Sequence, residues 1–345
     1  MTMKKKIAFV DHSFHKKTYS GDFLRNIFLH KYQLDNYWDE SWTGGPRVRK
    51  SILAKYSNLV YFQLLNPYLD LRDLKTSVIW APMFDSETVN RLRLDRTVYY
   101  KLLSQLNLFV VCFSKKLFLR LKLLGFRCQY FQYFMNPEDF PAVDDYKTKR
   151  VFFWDRGAIN FDDVKKIIGQ QKIDQLVLMV NPDPGMNNKL PTKNDIKKYN
   201  IKIINGHASQ QKYRQLLQKS NIFIAPRRKE GIGMSFLEAM TFGQCIIAFN
   251  ESTMNEYIES GKNGILVNDY DSEVDLSDFS KLGKNSRKFC LDGYREWSSK
   301  RQNIVKFPKI RDHSMIDKIY MRLLFYIWVL LDIIYRPMVK MMTKN

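Results

Sequence analysis

Cysteine is scarce in this chain. Four stand in 345 residues, at Cys112, Cys128, Cys245 and Cys290, and none belongs to a C-x-x-C pair. That spacing excludes a zinc ribbon or a disulfide framework. It leaves reduced thiols in apolar surroundings, and so a cytoplasmic location. A membrane-spanning run is missing as well. Near the C-terminus Arg322 and Asp332 bracket only nine uncharged residues, far short of the roughly 20 that cross a bilayer. At the N-terminus Lys4, Lys5 and Lys6 precede an apolar stretch, 7–10, of strand length, too short for a signal-peptide core. Acidic residues are few beside the basic ones: 35 Asp and Glu against 56 Lys and Arg, a net charge of +21. This excess draws anions. Nucleic acid is set aside as a partner, because no zinc spacing, helix-turn-helix pattern or aromatic RNA-binding motif accompanies the charge. An anionic membrane surface fits better. Residues 281–311 hold ten Lys and Arg against Asp292 and Glu296 alone, and the apolar stretch 323–331 follows.

The most informative glycines sit together. Residues 222–225 are an apolar run that reads as a buried parallel strand, ended by Pro226. Arg227, Arg228, Lys229 and Glu230 follow, then Gly231, Ile232 and Gly233. A helix is expected over 234–242, with Gly243 as its stop, and another strand over 245–249. Strand, glycine loop, helix and strand together make an anion site. The first amides of a helix lack internal partners and carry the positive end of its dipole, and glycine lets an anion approach the backbone. Glu230 and Glu238 flank that loop. Phosphate repels carboxylate, so the two glutamates suit neutral, hydroxyl-bearing parts of a ligand. A diphosphate with hydroxyls on both sides is a nucleotide sugar.

Around this unit, strands are expected at 7–10, 59–65, 78–80, 108–113, 151–154, 176–180 and 201–204. Helices are expected at 22–31, at 115–124 behind a Ser114 cap, and at 211–220. Residues 38–49 read as loop, and Pro137, Pro141, Asp144 and Asp145 mark a linker.

The frame Pro226, Glu230, Gly231, Ile232, Gly233, Glu238, Ala239, Met240 and Gly243 continues downstream with Glu256, Gly261, Asn263, Gly264, Leu266 and Val267. It resembles the E-x7-E motif of retaining GT-B glycosyltransferases, the large group 1 family typified by bacterial polysaccharide and lipopolysaccharide enzymes. The likeness is good over 203–267 and weak elsewhere. It implies an α/β chain with the GT-B fold, two Rossmann-like domains facing across an interdomain cleft. Residues 1–149 would form the acceptor side, with a C-terminal helix at 313–345 as a candidate completion, and 150–312 the nucleotide-sugar side.

The implied enzyme is a retaining transferase of the hexosyl class. It would move a sugar from a nucleotide-sugar donor to a hydroxyl of a lipid-linked oligosaccharide or polysaccharide, as in O-antigen, capsule or lipopolysaccharide biosynthesis. It would work peripherally on the inner face of the cytoplasmic membrane. No metal or other cofactor is expected, because cations and a helix terminus neutralise the leaving diphosphate. By the same resemblance Gly231, Ile232, Gly233 and Met234 offer amides to the diphosphate. Glu238 holds the ribose hydroxyls, and Glu230 is the catalytic residue that contacts and orients the transferred sugar. Arg156, after the strand at 151–154, matches the family's diphosphate-gripping arginine. The family's lysine six residues on is replaced by Asp162, with Lys165, Lys166, Arg227 and Arg228 as candidates to compensate. Further candidate donor or acceptor contacts are Ser20 and Gly21, in place of the family's paired glycines, Asp85, near a donor-sugar position, and His207, in a turn near the base. His12 and His15 share the Ser20 loop, as acceptor contacts or as solvated loop residues. Two rivals remain. One is another nucleotide-sugar-processing enzyme on this fold, such as an epimerase. The other is a non-enzymatic membrane-surface or anion-binding protein, which would need neither Glu230 nor Glu238.

Overall fold

The computed structural model describes residues 4–63, 68–85, 94–183, 185–206, 208–310 and 312–342, the last segment with side chains to 335. Short apolar runs separated by helices form two parallel sheets. The first contains β1 (Lys6–His12), β2 (Gln33–Asp39), β3 (Asn58–Phe62), β4 (Ser77–Ala81), β5 (Leu108–Cys112) and β6 (Cys128–Tyr130), in the order β2-β1-β3-β4-β5-β6. The second contains β7 (Arg150–Asp155), β8 (Gln175–Val180), β9 (Ile201–Asn205), β10 (Ile222–Ile224), β11 (Cys245–Phe249) and β12 (Ile265–Val267), in the order β12-β11-β10-β7-β8-β9. The central strands are buried along their length, as parallel strands covered on both faces must be. In the second sheet the chain runs outward from β7 to β9, then returns to pair β10 with β7, Ile222 opposite Val151. That reversal creates a switch point between β7 and β10, and ligands of open α/β sheets bind beyond the carboxyl ends of strands at such points.

The chain divides into two compact units, Met1–Phe131 with Lys300–Asn345, and Gln132–Ser299. The breaks come earlier than 149 and 312, for reasons visible in the bonds. The Tyr257 hydroxyl donates to the Tyr133 carbonyl at 3.0 Å and Val143 N–H donates to the Phe242 carbonyl at 2.7 Å, which ties 132–149 to the second unit. The Ser77 and Tyr32 hydroxyls donate to the Pro308 and Val305 carbonyls, which ties 305–308 to the first. The basic stretch 281–311 is consequently shared between the units. The final helix, Met315–Met342, lies in the first unit, where Met321, Leu324, Phe325 and Trp328 pack on its core. No described helix is long and apolar enough to cross a membrane.

Two strands differ from expectation. β2 runs through Asp39, so the loop placed at 38–49 starts two residues later. β2 and β6 are edge strands, half-exposed and polar, and lack the apolar run that marks the others.

Candidate active site

The glycine loop stands beyond the carboxyl end of β10. Its helix, Met234–Phe242, starts and stops where the glycines predict, with Gly243 at its C-cap in a left-handed conformation. Gly233 at the N-cap has φ +80°, and a Cβ there would stand 2.0 Å from the Phe236 ring. Both the backbone and the ring therefore require glycine. No side chain caps this helix start. The loop is held from one side by the segment after β11. Glu230 N–H donates to the Ser252 carbonyl at 3.1 Å, and the Thr253 hydroxyl donates to the Ile232 carbonyl at 3.1 Å. Glu230 and Ile232 are buried.

Glu238 lies inside the helix, with Arg214 Nε 3.9 Å from its Oε1. Burial pushes its carboxyl up to about 7, and the Arg214 charge and the neighbouring Tyr213 hydroxyl oppose that only in part. Tyr213 is a residue that sequence reasoning missed. It comes from the helix Gln210–Gln218 and packs on Phe152 and Trp154. Its hydroxyl is buried beside the Glu238 carboxyl. Burial raises its pKa. The Glu238 and Glu230 carboxylates raise it further and Arg156 lowers it, so this hydroxyl senses all three candidate site residues. A tyrosine in an amphipathic helix looks like core in sequence, and nothing in the motif marks it.

Arg156 follows β7 and is held over the Trp154 ring. Its Nε and Nη2 donate to Asp183 Oδ1 at 3.1 and 2.7 Å, and Arg227 Nη2 donates to the other oxygen. Asp183 follows β8, so one carboxylate gathers two guanidinium groups at the switch point. Burial works against its charge, but the two arginines outweigh it and keep its pKa low. Each arginine retains solvent access. The other candidate cations are placed differently. Arg228 lies over the Phe249 and Tyr270 rings and donates to the Asn268 carbonyl. Lys165 pairs with Asp162 and Asp195, and Lys166 with Asp271. Arg227 is therefore the one of these four that stands beside Arg156. The D-x-D spelling Asp269-Tyr270-Asp271 is a local turn, in which Asp269 accepts from Asp271 N–H and the Ser272 hydroxyl.

The remaining candidates are His207 and residues of the first unit. His207 falls outside the described residues. Asp85 is exposed in a turn of the first unit. The Ser20 hydroxyl donates to the Thr18 hydroxyl oxygen. Gly21 is packed so that a Cβ would stand 2.6 Å from Asp11 Oδ2. His12 and His15 are not solvated loop residues. His15 Nδ1 bonds buried Asp11 at 2.6 Å, Arg25 pairs with the other Asp11 oxygen, and the two imidazoles are 3.8 Å apart. Burial, then the neighbouring His15, pushes His12 down to about 4, so it is neutral near pH 7.

Residues 161–288 match the family model described as glycosyl transferases group 1. Among curated proteins, a sucrose synthase from Melioribacter roseus is 27% identical over 123 residues, which is 32% of this chain and 15% of that protein. Among solved structures, sucrose-phosphate synthase from Thermosynechococcus elongatus superposes with a TM-score of 0.60 at 13% identity, covering 87% of this chain and 99% of that one. Anabaena HepE in complex with UDP-glucose gives 0.55 at 13% identity, over 87% and 98%. The lipopolysaccharide outer core galactosyltransferase WaaB gives 0.54 at 11% identity, over 94% and 99%. The chain therefore has the GT-B fold, and its residues 161–288 are similar to the glycosyl transferases group 1 domain.

Proposed function

We propose that this protein is a glycosyltransferase that moves a hexosyl group, with retention of configuration, from a nucleotide-sugar donor to a hydroxyl of a lipid-linked oligosaccharide or polysaccharide. The observation that carries the reading is the helix start at Gly233, uncapped by any side chain and placed at a switch point between Glu230 and Glu238. The amides of 231–234 bind the diphosphate. Arg156 and Arg227 reach it from the β7 and β10 ends by sharing their donors with Asp183. These cations and the helix terminus offset the charge that grows on the leaving group, so no metal is required. Glu238 accepts from the ribose hydroxyls. Glu230 holds a hydroxyl of the transferred sugar and fixes its ring while the bond from anomeric carbon to phosphate oxygen breaks. The acceptor oxygen attacks from the face the diphosphate leaves, and its proton passes to the departing phosphate. A UDP-linked donor is the first to try, because the HepE complexes hold UDP and UDP-glucose. The WaaB likeness favours a lipopolysaccharide-type acceptor. Such an acceptor calls for peripheral attachment to the inner face of the cytoplasmic membrane.

The test is release of nucleoside diphosphate from a panel of nucleotide sugars, with and without a bacterial lipid extract. A transferase yields glycosylated lipid and accelerated release with extract. An epimerase yields a changed or free sugar from donor alone. Absence of turnover with every donor and extract sinks the proposal.

A further inference from the structure

The final helix has two apolar faces, and among the described residues only one is covered. Met321, Leu324, Phe325 and Trp328 pack into the first unit, Phe325 against Tyr68 and Trp328 against Tyr99. On the other side Ile316, Ile319, Leu323, Tyr326, Leu330 and Ile333 recur at alternating spacings of three and four, a continuous stripe along a helix. They are exposed, Ile316 by 78%, Tyr326 by 69% and Ile333 by 64%. The residue following each of 319, 326 and 333 is apolar and exposed too. The stripe runs for about 26 Å at the rise of an α-helix. It presents on the order of 1,000 Å2 of apolar surface, more than the few hundred Å2 that soluble monomers usually show. Lys318 and Arg322 border it along one edge, and no acidic side chain falls within it.

The charge is not spread evenly either. Residues 1–131 and 300–345 hold 32 Lys and Arg against 13 Asp and Glu, a net +19. Residues 132–299 hold 24 against 22, a net +2, which completes the +21 of the chain. The unit that bears the uncovered apolar helix therefore carries nearly all the cationic excess. The helix is also too polar to span. We infer that this face is the membrane contact, with the helix lying in the plane of an anionic bilayer and its stripe sunk among the acyl chains near the headgroups. A second copy suits the face less well. Two units of +19 repel, and no carboxylate on the stripe answers Lys318 and Arg322. The inference rests on the peripheral placement proposed above and gives it a surface.

Vesicle co-sedimentation of the full chain tests it, with phosphatidylcholine alone and with about one third phosphatidylglycerol. The wild type should sediment with the anionic vesicles and release as salt rises. Leu323→Glu with Leu330→Glu should weaken sedimentation at least about tenfold, because two exposed leucines no longer enter the apolar layer. Both positions are solvent-facing, so melting temperature and UDP affinity should hold. The inference fails if the wild type stays in the supernatant with anionic vesicles at low salt. It fails if the double variant sediments as well as the wild type. It also fails if the wild type is a dimer that the double variant dissolves without any vesicle binding, since the face then belongs to a second copy. Nucleotide binding is read in the same samples. Its loss in all proteins with vesicle binding intact would sink the donor-site reading and leave this surface standing.

Discussion

Glu238→Gln separates the chemistry of the buried carboxyl from its shape. The carboxyl is raised from 4.5 to about 7 in the folded protein, chiefly by burial. Between those values the folded chain holds a proton that the unfolded chain has released. The stability linked to this group is therefore fully present below about pH 4.5 and declines as pH rises to about 7. A shift of that size corresponds to on the order of 3 kcal/mol, and the Arg214 charge is already included in it. Gln cannot ionise, so the variant should lose this slope and overtake the wild type in melting temperature above pH 7. Function should move the other way. A carboxylate that accepts from ribose hydroxyls must be ionised, so nucleotide binding draws its pKa down. Wild-type affinity for UDP should rise with pH up to about 7, by as much as about tenfold per pH unit. Subtracting the profile of Glu238→Gln removes the titration of UDP itself. Denaturation and calorimetry from pH 5 to 8.5 supply both readouts. Parallel stability and affinity profiles in the two proteins would refute the reasoning, since Glu238 would then be neither buried as acid nor bound as base.

Other substitutions probe the remaining parts. Glu230→Gln should lower transfer by at least about a hundredfold while UDP affinity stays within about twofold, because the sugar and not the diphosphate has lost its partner; steady-state rates with calorimetry decide it. Arg156→Lys should weaken UDP binding by about tenfold, since an ammonium cannot both pair with Asp183 and present a fork to phosphate; unchanged affinity would remove Arg156 from the site. Gly233→Ala should destabilise the second unit by about 1–3 kcal/mol in chemical denaturation, given the left-handed backbone and the Phe236 ring behind it.

Much of the fold was legible because parallel strands buried on both faces must be apolar along their length. The runs at 151–154, 176–180 and 245–249 each became such a strand, and Gly243 closed its helix because a left-handed C-cap favours glycine. Edge strands β2 and β6 escaped because half their side chains face water. At the site, Glu230, the glycine loop and Glu238 come from one contiguous stretch, so their grouping could be read along the chain. Asp183 and Tyr213 could not. Asp183 sits in a loop rich in proline and asparagine, Tyr213 looks like an ordinary helix aromatic, and only the sheet order brings them to Arg156 and Glu238. The histidines show the same limit. His12 and His15 lie three residues apart in a polar-looking loop, but a buried Asp11 and Arg25 from the next helix draw them inside. The likeness to group 1 transferases pointed to a lysine at Asp162, and no inspection of sequence alone could have shown that Arg227 stands with Arg156 while Arg228 lies on aromatic rings.

The helix start behind Gly233 should receive a diphosphate. Amide proton–nitrogen correlation spectra of the labelled protein, titrated with UDP and with GDP, test it most directly. Gly231, Ile232, Gly233 and Met234 should shift strongly and saturably with at least one of the two nucleotides, and far less with the parent nucleoside. Saturable binding that leaves those four amides unmoved, or no binding of either diphosphate, would contradict it.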